Sequence, residues 1–254
     1  MNSEKVRIRI TKWVVIAIWT MAVRSEVQAT SVTITNASFE IPVLTPTGGV
    51  APNSPNDSNQ SFYNQTGWRA AVSNPNYDWV GEYYAAGWPF YTDPIPNGNQ
   101  VGYIYGFPGT LWQTTSKAFL ADETYSLTAS LGQRTDSPFA ASFLRLYVGT
   151  DTNLVSNNTL LKQFSVSVGP GSGKWFTQSM TFGPTDAGYA GFLAAHQGEP
   201  LIVALFSQGA ILGSVDSETD WDSVQFAFIP EPTSLIWLTT WGLLVRGWRR
   251  REAP

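Results

Sequence analysis

Four acidic residues fall at alternate positions late in the chain, Asp216, Glu218, Asp220 and Asp222. On an extended strand that spacing sets every carboxylate on one face, where unpaired charges repel and a bound cation would relieve them. Acidic runs of this kind are more often solvated loops, and that is the reading for Asp216, Glu218 and Asp220. His196 is the one histidine, and no Gly-x-Ser-x-Gly elbow offers it a nucleophile, so it reads as a solvated loop residue. The run Gly169 to Lys174 approaches a phosphate loop but has Val168 at the first Gly position and Trp175 where Ser or Thr is required, so it reads as a turn. A carboxylate pair for glycoside hydrolysis depends on a spacing of about 5–10 Å across a cleft, which a sequence does not display. No catalytic residue is assigned.

Aromatic residues are the other chemical resource. Trp68, Trp79, Trp88, Trp112, Trp175 and Trp221 lie among Tyr83, Tyr84, Tyr91, Tyr103 and Tyr105. Such rings stack on sugars when exposed and fill cores when buried. Trp79, Trp112, Trp175 and Trp221 stand in strand-like runs and are expected inside. Trp88, Phe90 and Tyr91, in the Pro-rich segment from Ala85 to Gly98, are the candidates for ligand contact.

The elements that would position these groups are strands. Helical periodicity is nearly absent, whereas short β-branched and aromatic runs recur between Gly, Pro, Asn and Asp clusters. Strands are expected near 32–35, 67–72, 79–84, 100–105, 111–119, 124–133, 142–149, 160–168, 174–182, 201–207 and 221–228. Tyr125, Leu127, Ala129 and Leu131 alternate as a half-buried strand does. About ten such strands predict an all-β, two-sheet antiparallel β-sandwich of the jelly-roll kind, with an up-and-down barrel as the competing form. The segment from Pro42 to Thr66 is a long connection, either functional or disordered.

Four short motifs then carry a resemblance. Asn36-Ala37-Ser38-Phe39-Glu40, Gly67-Trp68, Leu111-Trp112-Gln113 and Asp222-Ser223-Val224 occur in the order seen in galactose-binding-like jelly rolls, which include many carbohydrate-binding modules. The resemblance implies that Glu40 and Asp222 are carboxylate ligands of a structural calcium ion, with carbonyls near Ser38 completing an oxygen shell. Ala37 and Ser223 depart from the family pattern at two positions. The alternative is that both acids pair with nearby backbone donors.

The two ends concern destination. Lys5, Arg7, Arg9 and Lys12 precede the apolar run Trp13 to Val23, and Val27-Gln28-Ala29 offers a cleavage site, so residues 1–29 read as a signal peptide. At the other end, Pro230-Glu231-Pro232 is followed by a short apolar segment and then Arg249-Arg250-Arg251. As a helix, its 16 residues would span about 24 Å, a thin transmembrane anchor with the arginines on the cytoplasmic side. This tail resembles the PEP-CTERM sorting signal. The resemblance implies processing by an exosortase in a Gram-negative bacterium that makes extracellular polysaccharide. Residues 230–254 are therefore read as the sorting signal and 30–229 as one sandwich domain.

Residues 30–229 hold 15 acids against 6 Lys and Arg, a net charge of −9, which argues against binding nucleic acid. The absence of cysteine excludes disulfides and thiol chemistry. The resulting expectation is an exported, non-catalytic protein at the cell surface or in the extracellular matrix, glycan-binding or structural, held briefly in the inner membrane by its C-terminal helix. The alternatives are a polysaccharide-active enzyme on the same fold and an adhesive component with no glycan site.

Overall fold

The computed structural model describes residues 28–41, 67–72, 79–86, 89–106, 108–209 and 217–231, without the side chains of 72, 79 and 81–84. The chain divides into two compact units, one of 30–228 and one formed by 1–29 with 229–254. The larger unit is a β-sandwich.

Among the described residues eleven strands make its two sheets: β1 Thr30–Val32, β2 Arg69–Val72, β3 Trp79–Tyr84, β4 Gln100–Tyr105, β5 Gly109–Ala118, β6 Glu123–Gln133, β7 Ser142–Val148, β8 Thr159–Val166, β9 Lys174–Phe182, β10 Pro200–Ser207 and β11 Glu218–Pro230. The first sheet runs β3-β4-β11-β6-β9, with β1 pairing the far end of β11, and the second runs β2-β5-β10-β7-β8. Alternation decides which face each residue takes. Tyr125, Leu127, Ala129 and Leu131 from β6 meet Leu201, Val203 and Leu205 from β10 in one core, all essentially without solvent exposure. Burial of this apolar area at ~25 cal/mol per Å² is the main force holding the sheets together in a domain without disulfides.

Strand β11 carries the central correction. It begins at Glu218, three residues earlier than the sequence suggests, because its first four residues pair with Tyr105, Ile104, Tyr103 and Gly102 of β4. Glu218 and Asp220 are therefore buried strand residues, 2% and 0% exposed, and the solvated-loop reading is overturned for both. Asp216 lies outside the described residues. At Ser223 the backbone enters the left-handed region, φ 52°, and the strand changes partner from β4 to β1. This irregularity returns Val224 and Phe226 to the core beside Trp221.

One helix was also missed, α1 at Tyr189–His196, which places His196 in a last helical turn, within 3.0 Å of Glu199, and not in a loop. Two turns rich in Ala and Gly leave no periodic signal to read. Tyr189 anchors the helix by donating its hydroxyl to the Leu120 carbonyl at 2.9 Å and packing edge-on against Phe119. Among the described residues no helix is long and apolar enough to cross a membrane.

Candidate functional site

The four short motifs converge on the turn after β1. Asn36 clamps it, its amide oxygen accepting from Ile41 N at 3.0 Å while its Nδ2 donates to the Ile41 carbonyl at 2.8 Å. Gln113 reads Thr35 in the same two-way manner, at 2.7 and 3.0 Å. Trp68 donates to the Asn36 carbonyl and stacks on Phe39 at 5.3 Å. Phe39 sits so close to Gly102 that a Cβ there would meet its ring at 2.6 Å.

Glu40 is thereby delivered to the turn before β4. One of its oxygens accepts from Asn99 N and Gln100 N, both at 2.7 Å. Asp222 reaches the same turn, accepting from Asn97 N at 2.6 Å, and its other oxygen accepts from Ser223 N at 2.6 Å. Burial pushes the Asp222 carboxyl up to about 7; the charge of Glu40 adds to this, while the backbone donors oppose it. The structure thus brings the two expected metal ligands to one corner, and both engage backbone N–H groups there. Their all-oxygen chemistry and mutual repulsion fit a hard cation, although two carboxylates are fewer than most calcium sites offer.

A second constellation, unrecognised from sequence, lies on the outer face of the first sheet. Val101, Tyr103 and Tyr105 of β4 present the side opposite the core, together with Trp175 of β9. Residues 89–99 form a strap across this face. At one end, Thr92 N and Asp93 N donate to the Gly173 carbonyl at 2.8 and 3.1 Å, Thr135 N donates to the Phe90 carbonyl at 2.9 Å, and Lys174 pairs with Asp93 at 3.1 Å. At the other end the strap is held by Glu40 and Asp222.

Beneath the strap lie Glu218 and Asp220. Tyr91 donates its hydroxyl to Asp220 Oδ2 at 2.5 Å. Arg134 donates to Glu218 Oε2 at 3.0 Å, forks onto Asp136, and lies over the Phe90 ring at 3.7 Å from its centroid. Burial, and after it the charge of Asp220, holds the Glu218 carboxyl well above the ordinary carboxylate range, with Arg134 pulling the other way. The indole of Trp175 lies against Tyr91, ring centroids 5.0 Å apart, and crosses Gly132, where a Cβ would meet it at 2.7 Å. A carboxyl whose affinity for its proton is raised by burial among aromatic rings has the character of a general acid.

Of the expected ligand-contact residues, Phe90 and Tyr91 fold back half-buried onto the sheet, and Trp88 lies outside the described residues. Trp68, Trp112 and Trp221 are core residues, whereas Trp175 is only half-buried. The side chain of Trp79 lies outside the described residues, as do Pro232, Arg249, Arg250 and Arg251. Pro230 ends β11 and Glu231 follows it, both exposed. The alternating acids were the one available signal for the strapped site. Arg134 and Trp175 gave none, because their roles arise from pairing across strands.

These features define a jelly-roll-like sandwich with an acid-bearing, strapped outer face. The chain belongs to the HpiC1-like family, whose model, described as HpiC1 cyclase, matches residues 30–227. A cyclase from Fischerella sp. TAU is similar in structure, with TM-score 0.56 and 21% identity over 80% of this chain and 99% of that one. The Stig cyclase Fisc from the same organism, solved with (3Z)-3-(1-methyl-2-pyrrolidinylidene)-3H-indole, gives TM-score 0.52 and 20% identity over 80% and 100%. The CBM22-1 xylan-binding domain of Xyn10C from Paenibacillus barcinonensis is more distant, with TM-score 0.40 and 13% identity over 64% and 86%. These likenesses concern the fold. No curated protein matches the chain.

Proposed function

We propose that the sandwich is an acid-catalysing cyclase that acts on a small unsaturated, aromatic-bearing molecule at the outer face of the first sheet. The observation that carries this reading is the Glu218–Asp220 pair buried beneath Phe90 and Tyr91. Glu218 protonates a carbon–carbon double bond of the substrate. The resulting cation is attacked by a second double bond or ring to close the new bond, and a proton returns to the carboxylate pair. Atoms balance, so the product is an isomer of the substrate. The faces of Tyr91 and Trp175 favour the passing positive charge, and Arg134 fixes Glu218 without neutralising Asp220.

The test has two parts. Infrared difference spectra of the protein against Glu218→Gln should show a protonated carboxyl at neutral pH. Incubation with indole-bearing polyenes should give products of unchanged mass and new retention, at least a hundredfold less with Glu218→Gln or Asp220→Asn. An ionised Glu218 together with no isomer from any polyene would overturn the proposal.

A second reading, a glycan-binding surface protein, has the half-exposed Tyr91–Trp175 ring pair in its favour. Saturable binding to a neutral oligosaccharide, lost in Trp175→Ala, would select it. Either function fits export: the N-terminal leader, the Pro230-Glu231-Pro232 motif and the arginine cluster support delivery to the cell surface with an exosortase as processing partner. Calcium, if taken up by Glu40 and Asp222, would hold the turn before β4 and serve structure.

A further inference from the structure

The guanidinium beside the buried acid pair is shared. Arg134 gives the paired edge of its fork to Asp136, Nε to Oδ1 at 2.8 Å and Nη2 to Oδ2 at 2.7 Å, while Nη1 donates to Glu218 Oε2 at 3.0 Å. The side chain of Asp136 is half exposed, whereas that of Glu218 is buried. One guanidinium therefore joins a solvent-facing carboxylate to an acid beneath the strap. A two-bonded pair is the strongest contact that an arginine makes with a carboxylate, and here the outer acid has it.

The turn after β6 holds this arrangement. Thr135, between Arg134 and Asp136, donates its N–H to the Phe90 carbonyl at 2.9 Å and its hydroxyl to the Pro89 carbonyl at 3.0 Å. Phe90 in turn covers the guanidinium, 3.7 Å from its ring centroid. Besides Arg134 and Asp136, the titratable groups around Glu218 are Asp220 on its own strand, Tyr105 in register on β4, and Tyr91 through Asp220. Arg134 favours the ionised form of Glu218; burial opposes it most, then the charge of Asp220 and, after these, that of Asp136. The Arg134 hydrogen bonds hold Asp136 itself below the ordinary carboxylate range. Asp136 thus stays charged wherever Glu218 titrates.

We propose that Asp136 is a positioning residue for Glu218: by taking the fork of Arg134, it leaves the buried acid tethered through Nη1 and able to keep a proton for transfer. The use of that proton rests on the cyclase reading; the placement of Asp136 does not. Without the Asp136 charge, Nη2 is released to close a second bond on Glu218. The acid then becomes a carboxylate locked to Arg134, and a poor proton donor.

The experiment uses the full chain labelled with ¹³C at the glutamate carboxyls, the Glu218 signal being identified by its loss in Glu218→Gln. Followed against pH, that signal should ionise at lower pH in Asp136→Asn than in the native protein. Asp136→Glu, which restores the charge, should bring it most of the way back. The Thr135 amide should keep its protection from hydrogen exchange in both variants, because its acceptor is the Phe90 carbonyl and not Asp136. With a polyene that turns over, kcat should fall away at correspondingly lower pH in Asp136→Asn, with KM little changed. A Glu218 midpoint that does not move in Asp136→Asn overturns the positioning role, and where an isomer still forms the cyclase reading survives it. A midpoint that moves in a protein forming no isomer supports the role and counts against the cyclase reading. The role is also overturned if Asp136→Asn raises the midpoint, or lowers it only together with loss of Thr135 protection, which a loosened strap would cause.

Discussion

At the scale of single residues the decisive groups are acids held against their ordinary ionisation. Glu218 and Asp222 both have folded-state pKa values raised by burial, Asp222 to about 7. Between the unfolded value near 4 and the folded value, the native protein binds protons that the unfolded chain has released. Stability therefore falls as pH rises from about 4 to above 7. Chemical denaturation across that range should show the decline, and Asp222→Asn and Glu218→Gln should each flatten it; a stability that rises with pH throughout would show that neither acid is held protonated. The same corner gives a metal test. Calcium at 100 times its dissociation constant adds about 2.7 kcal/mol, enough to raise the melting temperature by several degrees over chelated protein. An Asp222→Asn protein that keeps the full shift would remove this acid from the ligand set.

At the scale of elements, the strap over the first sheet is the feature that covers Glu218 and Asp220, through Tyr91 on Asp220 and Phe90 on Arg134. It is closed by backbone hydrogen bonds to Gly173, Thr135 and the two acids, and so by groups well separated in sequence. Tyr91 of the strap lies against Trp175, whose indole crosses Gly132. Gly132→Ala should therefore displace the indole and cost about 1–3 kcal/mol by overpacking. The amides of Thr92 and Asp93 should then exchange with solvent faster by hydrogen-exchange mass spectrometry; unchanged protection would detach the strap from Trp175. The strands themselves were legible: β3, β4 and β9 coincide with the runs read from β-branched and aromatic residues, and most others differ by one or two positions. The body of β11 was read at 221–228, but its first three residues were not, since Glu218-Thr219-Asp220 has the composition of a loop and becomes strand only because β4 offers it partners.

At the scale of the whole molecule, one core carries the stability of the sandwich, and the proposal that the two ends direct export has its own test. Trp221 is wholly buried between the sheets, so Trp221→Ala should cost about 3–5 kcal/mol, a large part of the stability of a domain this size. Thermal melting measures it, and a loss below 1 kcal/mol would deny Trp221 its place as a core anchor. Protein recovered from the cell surface should have a mass lacking both the leader and Arg249 to Arg251; a major form retaining those arginines would end the sorting-signal reading. By itself the sequence determined the all-β class, the alternation that divides core from surface, and the four motifs that meet at Thr35 to Glu40, because each follows from local periodicity and residue type. Only the tertiary structure decided that Glu218 and Asp220 are buried acids, that Phe90 and Tyr91 turn inward onto them, and that Arg145 has no carboxylate partner among the described residues. Ionisation and exposure belong to the environment that other strands supply, and no local pattern in the chain encodes which strand becomes the neighbour.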